Sequence, residues 1–217
     1  MHAWARGWHG MTFVVVVATL LLQFGLVIQG QSVLDETQVP PLGTRLWRLV
    51  SYFTIQSNLL VAVAAATLFR NPERDGSVWR VVRIDAVLGI TLTGLVHFLL
   101  LRPILDLQGL NALADTGLHL VVPVMALIGW LLFGPRPRLT AATVLRSLLW
   151  PVTWLVYTLI VGAVTDWYPY PFLDVELRGY GAVLVICGAV TIVFLVLAAI
   201  AWWADDRLPP TPRDEDD

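Results

Sequence analysis

The chain contains no lysine and one cysteine, and few of its residues carry charge. Its 217 residues are 14% charged against 57% hydrophobic, where a soluble domain carries about 25% charge. One cysteine, Cys187, excludes a disulfide framework, and inside an apolar run it reads as a small inert hydrophobe. All fourteen basic residues are arginine, which we read as the codon usage of a GC-rich genome. No basic patch of the kind that binds nucleic acid occurs. The net charge of −2 comes largely from Asp214-Glu215-Asp216-Asp217. That tail, residues 209–217 with Pro209, Pro210 and Pro212, reads as solvated and disordered.

What is present is apolar sequence. Six stretches run Met11–Ile28, Leu49–Phe69, Ile84–Leu101, Leu113–Phe133, Leu148–Thr165 and Ala182–Trp203. Each matches a helix crossing about 30 Å of hydrocarbon at about 1.5 Å per residue. The expected fold is an all-α membrane protein, a single six-helix bundle over residues 1–208, with no room for a soluble domain. Trp47, Trp79, Trp150, Trp167, Trp202 and Trp203 near span ends fit interfacial aromatic belts. The first stretch is too long for a signal-peptide core and lacks a small-x-small cleavage pattern, so it is kept as a helix. Ten arginines fall on the side of the N-terminus, the even loops and the tail, and four (Arg45, Arg48, Arg102, Arg178) on the other. This bias predicts both termini in the cytoplasm and a multi-pass protein of a bacterial plasma membrane. No inverted repeat of a secondary transporter and no arginine ladder of a voltage sensor is visible.

Polar residues at membrane depth are expensive to bury and therefore informative. Thr54 lies five residues into the second span and His119 six into the fourth. Because these spans run parallel, both side chains reach about 8–9 Å below one surface, the outer one in this orientation. Thr54, Ser57 and Asn58 share a helical face, which reads either as interhelical hydrogen-bond glue or as part of a site. His97, near the end of the third span, approaches the same depth. Two histidines at one depth allow a bis-histidine haem, a metal site, or a base beside a nucleophile. The other haem of a transmembrane pair finds no histidines within a span at the opposite depth. A zinc ion needs carboxylates such as Asp115 or Asp166 to complete its ligands. The expectation adopted is no cofactor and no metal.

Three segments together resemble one family: Phe53-Thr54 opening the second span, Gly117-Leu118-His119 followed by Pro123 in the fourth, and Tyr170-Pro171-Phe172-Leu173-Asp174 after the fifth. In order and in span count they resemble the androgen-induced-gene and ADTRP family of multi-spanning membrane threonine hydrolases, across nearly the whole chain. The resemblance implies an esterase that cleaves esters of fatty acids with hydroxy fatty acids. It implies Thr54 as nucleophile and His119 as base, the latter matching the last residue of the family's Asn-His-x-x-His stretch. Asp115 and Thr116 stand at the first two positions of that stretch, a departure that bears on substrate preference.

The residues suit that chemistry. A threonine hydroxyl needs a base to take its proton, and an imidazole, with an ordinary pKa of about 6.5, is suited to that role. Asp115, four residues before His119, shares its helical face and is placed either to orient the imidazole or to meet headgroups. Asn58 or Ser57 is a candidate donor to a developing oxyanion. The expected partners are membrane lipids and a lipid ester entering from the outer leaflet. The competing reading is a non-catalytic scaffold or a small-molecule or haem-binding protein. Phe53, Phe98, Val122, Leu155 and Phe172 are the expected pocket walls, and residues 170–174 read as either a partial lid or an interfacial belt.

Overall fold

A computed structural model describes residues 2–31 and 39–209. From residue 210 on, the expected acidic tail lies outside the described residues. The helices, in chain order, are α1 His2–Ile28, α2 Leu42–Ser51, α3 Phe53–Arg70, α4 Ser77–Val96, α5 Gly109–Thr116, α6 Val122–Phe133, α7 Ala141–Ser147, α8 Leu149–Thr165 and α9 Val175–Arg207. No strand occurs among the described residues. Joined across short irregular turns, these helices give six segments long and apolar enough to cross a membrane. The protein is an all-α, multi-pass helical bundle.

The tight part of the bundle is α1, α3, α4 and α6. Val16, Val61, Ile90 and Val122 pack at its centre. Glycines let these helices approach. A Cβ on Gly94 would lie 3.1 Å from the His119 carbonyl oxygen, and one on Gly117 would lie 2.5 Å from Thr19. The wall is formed by α8 and α9. Only 11% of the most apolar stretch of the Ala141–Thr165 segment is buried, against 61% for Ser77–Ile104. Leu149, Val156, Ile160 and Val164 therefore face outward, as expected of a lipid-exposed surface.

Three departures from the apolar stretches matter for the site. The second stretch is not one helix, because Tyr52 (φ −67, ψ 131) separates α2 from α3. The third and fourth each contain a π turn, at His97–Leu101 and Gly117–Val121. α9 begins earlier than expected, at Val175, and is interrupted at Gly179, whose φ of 78° suits a residue without a Cβ.

Candidate active site

The break at Tyr52 frees backbone groups, and side chains take up the released carbonyls. In a continuous helix the Val50 carbonyl would accept from the Thr54 N–H, and the Ser51 carbonyl from the Ile55 N–H. Here Gln56 Nε2 donates to Val50 O at 3.0 Å and the Trp154 indole donates to Ser51 O at 2.9 Å. The Ile55 N–H turns to Tyr52 O. Trp150 Nε1 in turn donates to Gln56 Oε1 at 3.0 Å. Side chains inserted into the ladder are a recognised cause of a sharp helix break. The consequence is that α3 starts inside the bundle, with Thr54 in its first turn, where unpaired N–H groups and the helix dipole favour negative charge.

The released Thr54 N–H donates to the Tyr170 hydroxyl oxygen at 3.2 Å, and Thr54 Oγ1 lies 3.2 Å from the same hydroxyl. On its other side Thr54 Oγ1 is 3.3 Å from His119 Nε2. His119 Nδ1 lies 2.9 Å from Asp115 Oδ1 and 3.0 Å from the Asp115 carbonyl oxygen. With only acceptors facing Nδ1, the proton belongs there, and Nε2 keeps its lone pair for the Thr54 hydroxyl. Thr54, His119 and Asp115 thus stand in the order hydroxyl, imidazole and carboxylate, the geometry that a hydroxyl-imidazole-carboxylate triad requires.

Both histidines occupy π turns, and each π turn is followed two residues later by a proline, Pro103 or Pro123. Pro123 has no N–H for the His119 carbonyl, so the helix is already short of one bond there. The Val122 N–H bonds Gly117 O instead, closing the wider turn. Such π turns gather at functional sites. Here they bring His97 onto His119, with ring centroids 3.8 Å apart and planes within 13°. His97 Nε2 lies 3.2 Å from Asp115 Oδ2, so one carboxylate faces two imidazoles.

His97, Asp115 and His119 bring ligand-type atoms within 4.8 Å of one another, yet their arrangement does not fit a shared ion. A metal binds in the plane of each imidazole, and two nearly parallel, stacked planes do not meet near the site. The stacking also leaves no place for a haem, whose axial imidazoles point end-on at the iron from opposite faces.

The remaining residues named from sequence separate. Asn58 Nδ2 donates to Thr54 O at 2.8 Å and Leu118 O at 3.4 Å. Ser57 Oγ accepts from Thr93 Oγ1 at 3.3 Å. These bonds join α3 to the π turn and to α4, the helix-tying arrangement expected as one of the two readings of this face. Of the expected pocket walls, Phe53, Leu155 and Phe172 line the cavity beside Thr54. Phe98 is exposed, turned outward within its π turn, and Val122 is buried against Val16 and Ile90 in the tight core.

Two cavities meet at Thr54. The apolar one, about 820 Å³ of space partly open to the surroundings, lies between α3 and α4 on one side and α8 and α9 on the other. The second, about 620 Å³, opens on the His119 side and includes Gln23, Asn111 and Asp115. Thr54, His97, Leu101 and Tyr170 line both.

The 166–174 segment closes over this junction. Asp166 ends α8 in the left-handed region (φ 55). Gly162 admits the Tyr168 ring so closely that a Cβ would fall 1.9 Å from it. Trp167 packs on Trp47 and Tyr52 beneath the Arg48 guanidinium. Asp174 caps α9 by accepting from the Leu177 N–H at 3.0 Å, a bond of the kind that fixes a helix start. Tyr170 is the site residue whose role sequence reading missed. It stands between Pro169 and Pro171, and its contact with Thr54, 116 positions away, leaves no local signal in the sequence.

Comparison of the chain with family models, with curated proteins and with solved structures gives no match. Fold and site together define a class: a multi-pass helical membrane protein with a partly buried Thr-His-Asp constellation at the junction of two cavities.

Proposed function

We propose that this protein is a membrane-embedded hydrolase of lipid carboxylic esters, with Thr54 as nucleophile and His119 as general base and then general acid. The observation that carries the reading is the alignment Thr54 Oγ1–His119 Nε2 (3.3 Å) and His119 Nδ1–Asp115 Oδ1 (2.9 Å) beside an apolar cavity. Thr54 Oγ1 attacks the ester carbonyl carbon while its proton passes to His119 Nε2. Asp115 stabilises the imidazolium so formed. Collapse of the tetrahedral adduct expels the alcohol, which takes the proton from His119. Water then attacks the acyl-Thr54 ester with His119 again as base, releasing the carboxylic acid and restoring Thr54.

The substrate class is an ester of a fatty acid with a hydroxy fatty acid, its acyl chain directed to the apolar cavity and its alcohol arm to the other; the presence of two cavities beside Thr54 supports this reading. The arginine bias supports an orientation with both termini cytoplasmic and Thr54 in the outer leaflet of a bacterial plasma membrane. Substrate then arrives laterally from that leaflet. Labelling of cysteines introduced at Arg74 and Asp106 in intact cells tests the orientation: only Asp106→Cys reacts with an impermeant reagent.

Activity is tested with a fluorophosphonate probe on the purified protein. Labelling that is present in the wild type and lost in Thr54→Ala, with unchanged thermal stability, is the expected result. A wild-type protein that stays unlabelled leaves the scaffold reading, in which Thr54 and His119 only tie helices together.

A further inference from the structure

The Tyr170 hydroxyl touches the reacting oxygen itself. Its oxygen accepts from the Thr54 N–H, so its own proton is directed away from that backbone group and toward Thr54 Oγ1. Thr54 Oγ1, receiving a proton on this side, directs its own toward His119 Nε2. The resting contacts therefore form an ordered chain from Tyr170 through Thr54 and His119 to Asp115. The phenol ring is held by Phe172 in a parallel stack (5.1 Å, 4°) and by Tyr52 edge-on (5.5 Å, 72°), which fixes the hydroxyl position. Burial raises the Tyr170 pKa above the ordinary phenol value, so the group is a proton donor in hydrogen bonds throughout the neutral range and not a base.

We propose that Tyr170 is a catalytic residue whose hydroxyl donates to the ester carbonyl oxygen as that oxygen gains charge; this rests on the hydrolase reading above. When Thr54 Oγ1 bonds to the carbonyl carbon it becomes an ester-type oxygen and a poorer acceptor. The π electrons of the carbonyl move onto the former carbonyl oxygen, which is attached to the same carbon as Oγ1. The Tyr170 O–H needs only to rotate about its C–O bond to follow the charge. No proton leaves Tyr170: the Thr54 proton resides on His119, the oxyanion is hydrogen-bonded, and the bond returns to Oγ1 only when deacylation restores the Thr54 hydroxyl. Donors fixed before the reaction where charge develops are the arrangement that lowers such barriers. Tyr170 lines both cavities at their junction, where the scissile bond of a two-armed ester must lie.

The test compares wild type, Thr54→Ala and Tyr170→Phe in detergent micelles on a 4-nitrophenyl fatty-acid ester, alongside fluorophosphonate labelling. Tyr170→Phe keeps the ring contacts and removes the donor; kcat is expected to fall about 10²-fold or more, as for loss of one oxyanion donor, with KM little changed. Wild-type kcat in Tyr170→Phe, while Thr54→Ala is inactive, overturns the role of Tyr170 and leaves the hydrolase standing. A wild type that neither reacts nor labels overturns both. If Tyr170→Phe does not fold, 3,5-difluorotyrosine at position 170 decides. Its more acidic phenol loses its proton at lower pH, so the alkaline limb of the kcat profile moves down. An unmoved profile overturns the proposal.

Discussion

Two polar clusters are buried at opposite ends of the bundle, and they use their groups differently. At one end, charge is spent on backbone. Arg83 donates to the carbonyls of Gly134 and Pro135, Arg136 donates to Trp130 O, and Asp205 Oδ2 accepts from the N–H groups of Arg138 and Leu139 at 2.6 and 2.7 Å. Asp75 joins this end through a two-point contact with Arg80 (2.7 Å each) and an ion pair with Arg138. Such bonds stitch the loop between α6 and α7 to α4 and α9. At the other end, Thr54, His119, Asp115 and Tyr170 bond chiefly to one another, beside open space. The first cluster satisfies what folding leaves unpaired. The second sets a hydroxyl 3.3 Å from an imidazole nitrogen beside a cavity. On the proposed hydrolase reading, the difference separates a structural polar network from a chemical one.

Substitution should split the two ends cleanly. Thr54→Ala or His119→Ala is expected to lower ester hydrolysis on the order of 10³-fold or more while thermal unfolding stays near wild type. Asp115→Asn keeps the shape but presents an amide to His119 Nδ1, and is expected to cost on the order of 10²-fold or more in kcat. Loss of stability without loss of activity at these three positions would erase the contrast between the clusters.

A smaller effect is expected one layer out. Gly162→Ala places a methyl 1.9 Å from the Tyr168 ring and must shift the segment that carries Tyr170. Because small misplacements of catalytic groups are costly, the activity should fall about 10-fold to 10²-fold, measured at matched folded fraction. At the other end Asp205→Ala strips two backbone N–H groups of their acceptor. It should destabilise by about 1–3 kcal/mol, read by thermal unfolding in detergent, with kcat of the folded protein unchanged.

The smallest effect is acid dependence. The hydrogen bond from Arg80 holds the Asp75 carboxyl below the usual carboxylate range. Its folded value is therefore lower than its unfolded value of about 3.9. The stabilisation is complete above that pH and lost progressively as pH falls below it. Asp75 is partly exposed, so salt screens the effect. Asp75→Asn should flatten the acid limb of a stability profile and leave the ester-hydrolysis profile untouched.

The difference between the ends also explains what the sequence made legible. Six helices followed from apolar run length, and the meeting of Thr54 with His119 followed from matched depth on parallel spans. Asp115 was readable because four residues is one helical turn. The break at Tyr52 was not readable, since no proline or glycine marks it. The groups that stabilise it, Trp150 and Trp154, lie about a hundred residues away on α8. Tyr170 was hidden for the same reason: its contact with Thr54 spans 116 positions and depends on how the 166–174 segment folds back. Asn58 shared the right face, but its amide found nearer acceptors in the carbonyls of Thr54 and Leu118.

The most direct measurement is trapping the covalent intermediate. The protein is mixed with an activated long-chain ester, quenched in acid within the first turnovers, digested and mapped by mass spectrometry. The account predicts an acyl group on Thr54, absent in Thr54→Ala and removed on further incubation before the quench. An acyl adduct on another residue, or ester hydrolysis at the wild-type rate in Thr54→Ala, would contradict it.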